Sequence, residues 1–260
     1  MNSITFLGTG TSQGVPMIGC NCPVCTSGDP RDKRLRTSAL VCYEGIGVVI
    51  DAGPDFRQQM LRSGISRPDG ILLTHHHIDH IGGLDDVRAF NYSRENGYKT
   101  CTPFPIYCEP KVQDAMHKVF YYAFSDNKYP GVPEYELVTI GNEPFSIKGV
   151  EIIPVRAMHH KLPVLGFRFG KLAYVTDTNF IPEEEFSKLE GLDVFVLNTV
   201  RRGHHISHYS LEEAIEVARR VGAQKTYFTH LSHQLPCYEE FKAELPEGIE
   251  PAYDGLRVEF

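Results

Sequence analysis

The chain has no apolar run approaching the roughly 20 residues that a membrane-spanning helix needs. Nor does it carry a surplus of positive charge. Its 26 Lys and Arg against 33 Asp and Glu leave a net charge of −7. That removes any general attraction to nucleic acid or anionic lipid, although a local basic patch stays compatible with it. Met1-Asn2-Ser3-Ile4-Thr5-Phe6-Leu7 lacks a basic stretch followed by a long apolar one, so no secretory signal is expected. No internal repeat, low-complexity tract or linker is evident. The seven cysteines are odd in number and three cluster tightly, which disfavours a disulfide framework and fits metal ligation in a reducing cytoplasm. What is present, 260 residues with 42% hydrophobic and 23% charged, suits a core of ordinary size in a soluble globular chain. A single domain, 1–260, is expected.

The most informative stretch is Leu73-Thr74-His75-His76-His77-Ile78-Asp79-His80, followed by Ile81-Gly82-Gly83. Four imidazoles and a carboxylate close an apolar run that reads as a buried strand. Imidazole suits zinc and its first-row neighbours, and carboxylate can complete or bridge such a site. Alternation along a strand lets His75 and His77 point one way and His76 the other. Asp79 and His80 then lie at the entrance to a helix, within reach of a second ion. Cys20-Asn21-Cys22-Pro23-Val24-Cys25 offers three thiolates that can share a tetrahedral zinc, with a fourth ligand still to be found. Cys42, Cys101, Cys108 and Cys237 stand alone as packed or partly exposed thiols.

Around these stretches the chain reads as strands over Ser3–Leu7, Thr37–Tyr43, Gly47–Asp51, Phe104–Tyr107, Val150–Arg156, Leu165–Phe169, Lys171–Val175, Asp193–Leu197, Thr226–Thr229 and Gly255–Phe260. Helices are predicted over Phe56–Arg62, Gly83–Tyr92, Lys111–Phe124, Glu183–Leu189, Leu211–Val221 (with Ser210 as N-cap) and Tyr238–Leu245. The loop Gly8-Thr9-Gly10-Thr11-Ser12-Gln13-Gly14 lacks the Lys-Ser/Thr pair of a nucleotide-binding loop. Asp51, at a strand end, either steadies a ligand imidazole or is a plain turn aspartate. The aromatic segment Phe120 to Phe124 and Tyr129 to Pro133 either packs in the core or overhangs the site. His75 to His80, His159, Asp177, His208 and His230 all fall where strands give way to loops. Two sheets face to face with helices outside would bring them to one edge.

These motifs resemble the metallo-β-lactamase superfamily: Thr74 to His80, then His159, Tyr174-Val175-Thr176-Asp177-Thr178 and Thr229-His230, in the family's order. The resemblance implies an α/β (α+β) four-layer αββα sandwich holding two divalent catalytic metal ions, zinc or manganese. It places His75, His77 and His159 on one ion, Asp79, His80 and His230 on the other, and Asp177 between them. His76, His160, His204 and His205 match no ligand position. A narrower resemblance, through Gly8-Thr9-Gly10, Gln13-Gly14-Val15-Pro16, Gly19-Cys20, Cys22 and Cys25, is to phosphodiesterases acting on phosphoribosyl cyclic phosphate in phosphonate breakdown. It implies a structural zinc on Cys20, Cys22, Cys25 and His233, in a loop at about 19–26, whereas a variable insertion at about 91–150 matches less well.

The tRNA 3′-processing endonucleases share a histidine like that of Ser207-His208-Tyr209-Ser210, implicated in protonating the leaving group. The expected function is therefore metal-dependent hydrolysis of a phosphodiester, a small cyclic phosphate ester first among the candidates. Hydroxide held by the ions would attack, with Asp79 and His208 in the catalytic set. An imidazole pKa near 6.5 suits His208 as proton donor. Arg201 or Arg202 either binds a substrate phosphate or is exposed charge. An RNA endonuclease, a thioester or lactam hydrolase and a non-catalytic metal-binding module are the alternatives. A small phosphate ester is the expected partner, nucleic acid is not favoured, no membrane is involved, and a homodimer is compatible with the chain.

Overall fold

Val48 and Ile50 enter one apolar cluster and Val49 another, the period-two alternation of a strand buried on both faces. Val194 and Val196 against Phe195 and Leu197 repeat the pattern later in the chain. Two doubly covered sheets follow from it. The computed structural model describes residues 1–92 and 101–260; positions 93–100 of the expected insertion lie outside the described residues.

The first half supplies β1 (Ser3–Gly8), β2 (Ser38–Tyr43), β3 (Ile46–Ile50), β4 (Gly70–Leu72), β5 (Phe104–Cys108) and β6 (Tyr135–Thr139). The second supplies β7 (Phe145–Ile147), β8 (Val150–His159), β9 (Leu162–Phe169), β10 (Leu172–Val175), β11 (Val194–Asn198), β12 (Lys225–Thr229) and β13 (Ile249–Pro251). The last strand, β14 (Arg257–Glu259), returns to β1, giving the orders β14-β1-β2-β3-β4-β5-β6 and β13-β12-β11-β10-β9-β8-β7. The helices are α1 (Pro23–Thr26), α2 (Phe56–Ser63), α3 (Ile78–Ile81), α4 (Pro110–Val119), α5 (Tyr121–Phe124), α6 (Leu211–Val221) and α7 (Tyr238–Glu244).

Phe6, Val41, Ile50, Phe167, Phe169 and Tyr174 form the layer between the sheets. Phe56, Met60, Val112 and Met116 carry α2 and α4 onto the outer face of the first sheet. Leu211, Ala214, Ala218 and Phe241 carry α6 and α7 onto the second. This is the expected αββα sandwich. Each large apolar side chain so buried contributes about 1.5–3 kcal/mol. Among the described residues no helix is long and apolar enough to cross a membrane.

Several expected elements differ. The segments near Gly83 and Glu183 are 3₁₀ helices, Leu84–Phe90 and Glu183–Leu189. The helix expected from Lys111 to Phe124 breaks at Phe120, whose φ of −108° and ψ of 36° leave the helical region. Phe120, Ala123 and Val132 are buried and Tyr121 and Tyr129 exposed, so the aromatic segment divides between core and surface. β8 runs three residues beyond its expected end, which makes His159 the last residue of a strand and no part of a loop.

Candidate metal centre

Three strand ends carry the same backbone irregularity. Asp51 after β3, Asp177 after β10 and His230 after β12 have φ of 61°, 53° and 56°, left-handed values that most side chains avoid. Such residues cost on the order of 1–3 kcal/mol each and persist where surrounding contacts over-determine them. The contacts here are polar. Asp51 accepts from the Thr74 amide at 2.9 Å and lies 2.7 Å from His80 Nδ1. It is therefore not a plain turn aspartate: it fixes the ring of a site residue and leaves Nε2 facing inward.

β4 ends at Leu72, so His75, His76 and His77 lie beyond the strand whose alternation was expected to sort them; His77 is extended, and α3 begins at once with Asp79 and His80 in its single turn. The turn is held against the end of β3 by Ala52 N–H on His80 O at 2.7 Å. Gly53 permits this approach, since a Cβ there would stand 2.0 Å from the Asp79 carbonyl oxygen.

The side chains converge on one point. Ring centroids of His75 lie 4.5 Å from His77, 4.2 Å from His80 and 5.6 Å from His159, and His77 lies 5.1 Å from His159. Asp177 is central: its Oδ2 is 3.0 Å from His80 Nε2 and 3.7 Å from His75 Nε2, and its Oδ1 is 2.9 Å from His230 Nδ1. Asp79 Oδ2 is 3.3 Å from His80 Nε2. Potential ligand atoms fall within 4.8 Å of one another in the sets His75–His77–His159, His75–His80–Asp177, Asp79–Asp177–His230 and His159–Asp177–His208. The seven residues expected to hold two ions thus share one cluster.

The cluster fits cations on a further ground. Among the described residues, His75 Nε2 is buried without a hydrogen-bond partner, and so is His208 Nδ1. Orphaned polar atoms of this kind are expensive unless something fills the space between them. His159 Nδ1 donates to the Ser207 carbonyl at 2.8 Å, which leaves its Nε2 as the bare nitrogen. Burial opposes charge on Asp177, yet His230 and His80 outweigh it and hold the carboxyl well below its usual range. Burial likewise opposes protonation of His80, but Asp177 and Asp51 raise it well above the imidazole range. A proton on His80 balances charge where a metal would.

His208 packs against both halves of the cluster, 4.6 Å from His159 and 4.9 Å from His230 between centroids. The expectation of an ordinary pKa near 6.5 is corrected. Burial, then His230 and His159, push it down to about 3, so the resting imidazole is neutral. His205, which matches no ligand position, has its ring 4.9 Å from that of His208 and belongs to none of these sets. His76, His160 and His204 belong to none of these sets. Arg202 pairs with Glu244, and Arg201 donates to the His204 carbonyl.

Cys20, Cys22, Cys25 and His233 form a separate set of the same compactness. His233 Nδ1 is 3.4 Å from Cys20 Sγ and 3.5 Å from Cys22 Sγ. The Cys25 amide donates to Cys22 Sγ and the Met17 amide to Cys25 Sγ, contacts suited to thiolates, but burial, with Cys22 and Cys20 beside it, pushes the Cys25 thiol up to about 11 in the absence of an ion. The Cys25 amide and His233 bring the Cys22 thiol down to about 6. A tetrahedral Cys3His zinc fits this donor set and leaves no open position. Among the described residues, Cys237 also packs here.

A family model described as a β-lactamase superfamily domain matches residues 47–231. The chain is similar to a solved structure described as a new diphosphatase from the PhnP family. They share 42% identity with a TM-score of 0.91, over 100% of this chain and 98% of that one. It is also 41% identical over 256 residues to an octanoyltransferase of Porphyromonas gingivalis, 97% of this chain but 50% of that protein. The chain thus spans about half the length of that relative. Zinc-bound PqqB from Methylobacterium extorquens, 22% identical with a TM-score of 0.77 over 99% of this chain and 100% of that one, shares the fold.

Proposed function

We propose a phosphoester-cleaving function on the premise that this chain belongs to the β-lactamase superfamily, as a metal-dependent hydrolase of the metallo-β-lactamase fold. The proposed substrate is a small phosphodiester, a cyclic phosphate such as a phosphoribosyl cyclic phosphate first among them. The similarity to a diphosphatase adds the P–O–P linkage as a second candidate. His75, His77 and His159 would hold one ion and Asp79, His80 and His230 the other, with Asp177 between them. The Cys20, Cys22, Cys25 and His233 site would hold a structural zinc. Divalent ions bound in the cluster supply Lewis acidity, lowering the pKa of water to about 7 and offsetting charge on a phosphate.

The observation that carries the reading is His208. Its ring rests on His159 and His230 with an unpaired nitrogen, where a group hydrolysing an alkyl phosphate needs a donor for the departing oxygen. Neutral at rest, it would take up the proton that the attacking water gives up. That proton passes to the ester oxygen as the P–O bond breaks and water's oxygen joins phosphorus. Asp177, Asp51 and Thr74 keep the surrounding imidazoles in register.

His208→Ala tests this. With an alkyl leaving group kcat falls about 10²–10⁴-fold. With p-nitrophenolate, stable without a proton, it falls far less. Equal losses on both esters would remove His208 from the proton-transfer role. The match to an octanoyltransferase favours acyl thioester hydrolysis as a second reading. Turnover of an octanoyl thioester without turnover of any phosphodiester would select it.

A further inference from the structure

We propose that Thr37 is a positioning residue for the metal centre: its hydroxyl fixes the ring of His230 so that Nε2 is the nitrogen offered to an ion. Thr37 is 1% exposed and His230 2% exposed, so neither has water as an alternative partner. The Thr37 hydroxyl lies 2.8 Å from the Gly10 carbonyl oxygen and 3.1 Å from His230 Nδ1. A carbonyl only accepts, and with two lone pairs it takes the Thr37 amide at 3.0 Å as well. The single hydroxyl proton is committed to Gly10, which leaves Thr37 only lone pairs for His230. Asp177 Oδ1, 2.9 Å from the same nitrogen, is also acceptor-only when ionised. Both neighbours therefore demand that Nδ1 carry the proton, and the lone pair falls to Nε2.

The anchor is rigid. Gly10 has bridge pairings to Arg36 and Leu231, its amide donates to the Leu35 carbonyl at 2.8 Å, and the Leu231 amide donates to the Thr9 carbonyl at 2.8 Å. A Cβ on Gly10 would stand 2.9 Å from the Arg34 carbonyl oxygen, so that strand end cannot slide. Thr37 accordingly joins the loop after β1 to the residue after β12, two parts of the chain nearly 200 positions apart. Such partners of ligating histidines set ring orientation and tautomer.

The inference rests on the reading that Asp79, Asp177 and His230 hold an ion. The test compares Thr37→Val and Thr37→Ser with wild type, measuring zinc affinity at the imidazole cluster by chelator competition and thermal stability alongside. Thr37→Val should weaken that affinity about 10–100-fold and Thr37→Ser should restore it. Thr37→Val binding like wild type, or Thr37→Ser falling as far as Val, overturns the proposal while leaving the metal reading intact. Wild-type protein that takes up no ion at the cluster overturns both. Should Thr37→Val not fold, ¹⁵N-histidine spectra of the zinc-loaded wild type decide: protonated Nδ1 on His230 supports the assignment, and protonated Nε2 defeats it.

Discussion

His80 occupies a position that a simple count of ligands does not describe. Its two nitrogens face two buried carboxylates, Asp51 at 2.7 Å and Asp177 at 3.0 Å. Without a cation, those carboxylates draw a proton onto the ring and raise it well above the ordinary imidazole value, against the opposing effect of burial. Because the folded value is raised, the stabilisation it brings is complete below about 6.5, the unfolded value, and is lost as pH rises through the folded one. Asp177 behaves oppositely: held low in the fold, it contributes above the usual carboxylate value and loses its contribution as pH falls through the depressed one. An ion entering the cluster near neutral pH must displace the His80 proton. Zinc titration calorimetry in buffers of different ionisation heat should show net proton release near pH 7, shrinking as pH rises. Binding with no proton release would place the ions elsewhere.

Among the elements, α6 shows how far local sequence reaches. Its span, Leu211–Val221, is the expected one, and Ser210 and Glu213 form a reciprocal capping box. The cap closes the loop that holds His208, which is pinned further by the Tyr209 amide on the Thr178 carbonyl at 2.9 Å. Ser210→Ala should cost about 1 kcal/mol, read as a thermal midpoint lowered by about 2 to 4 °C. An unchanged midpoint would mean the cap is not the closure. Elsewhere the local signals were weaker. β13 is three residues long and ends at a proline, and β6 lies at a sheet edge with no fully buried residue, so neither shows a clear alternation. His75 to His80 was legible because it is contiguous. Asp177, His159 and His230 were grouped with it by their place at strand ends and given ligand roles by resemblance, and Thr37 not at all, because its role exists only where β1, β2 and β12 meet. The strained backbone at Asp51, Asp177 and His230 had no signal in composition.

Across the whole molecule, one loop serves two sites. His230 belongs to the imidazole cluster and His233 to the thiol cluster, with Leu231 between them locked to Thr9 and Thr11 by backbone hydrogen bonds. Removing the thiol site's imidazole should therefore disturb both. His233→Ala is expected to lower metal occupancy at the imidazole cluster as well as overall stability; full occupancy there would show the two sites to be independent. The similar proteins carry different names, a diphosphatase and, over half its length, an octanoyltransferase, and fold alone does not choose between such activities. The most direct measurement is turnover by the metal-loaded chain across one panel: bis(p-nitrophenyl) phosphate, a ribose cyclic phosphate, a nucleoside diphosphate and an octanoyl thioester. Metal-dependent cleavage of the phosphorus esters, abolished by Asp177→Ala, is the expected result. Cleavage of the thioester alone, or phosphoester turnover that survives Asp177→Ala, would contradict it.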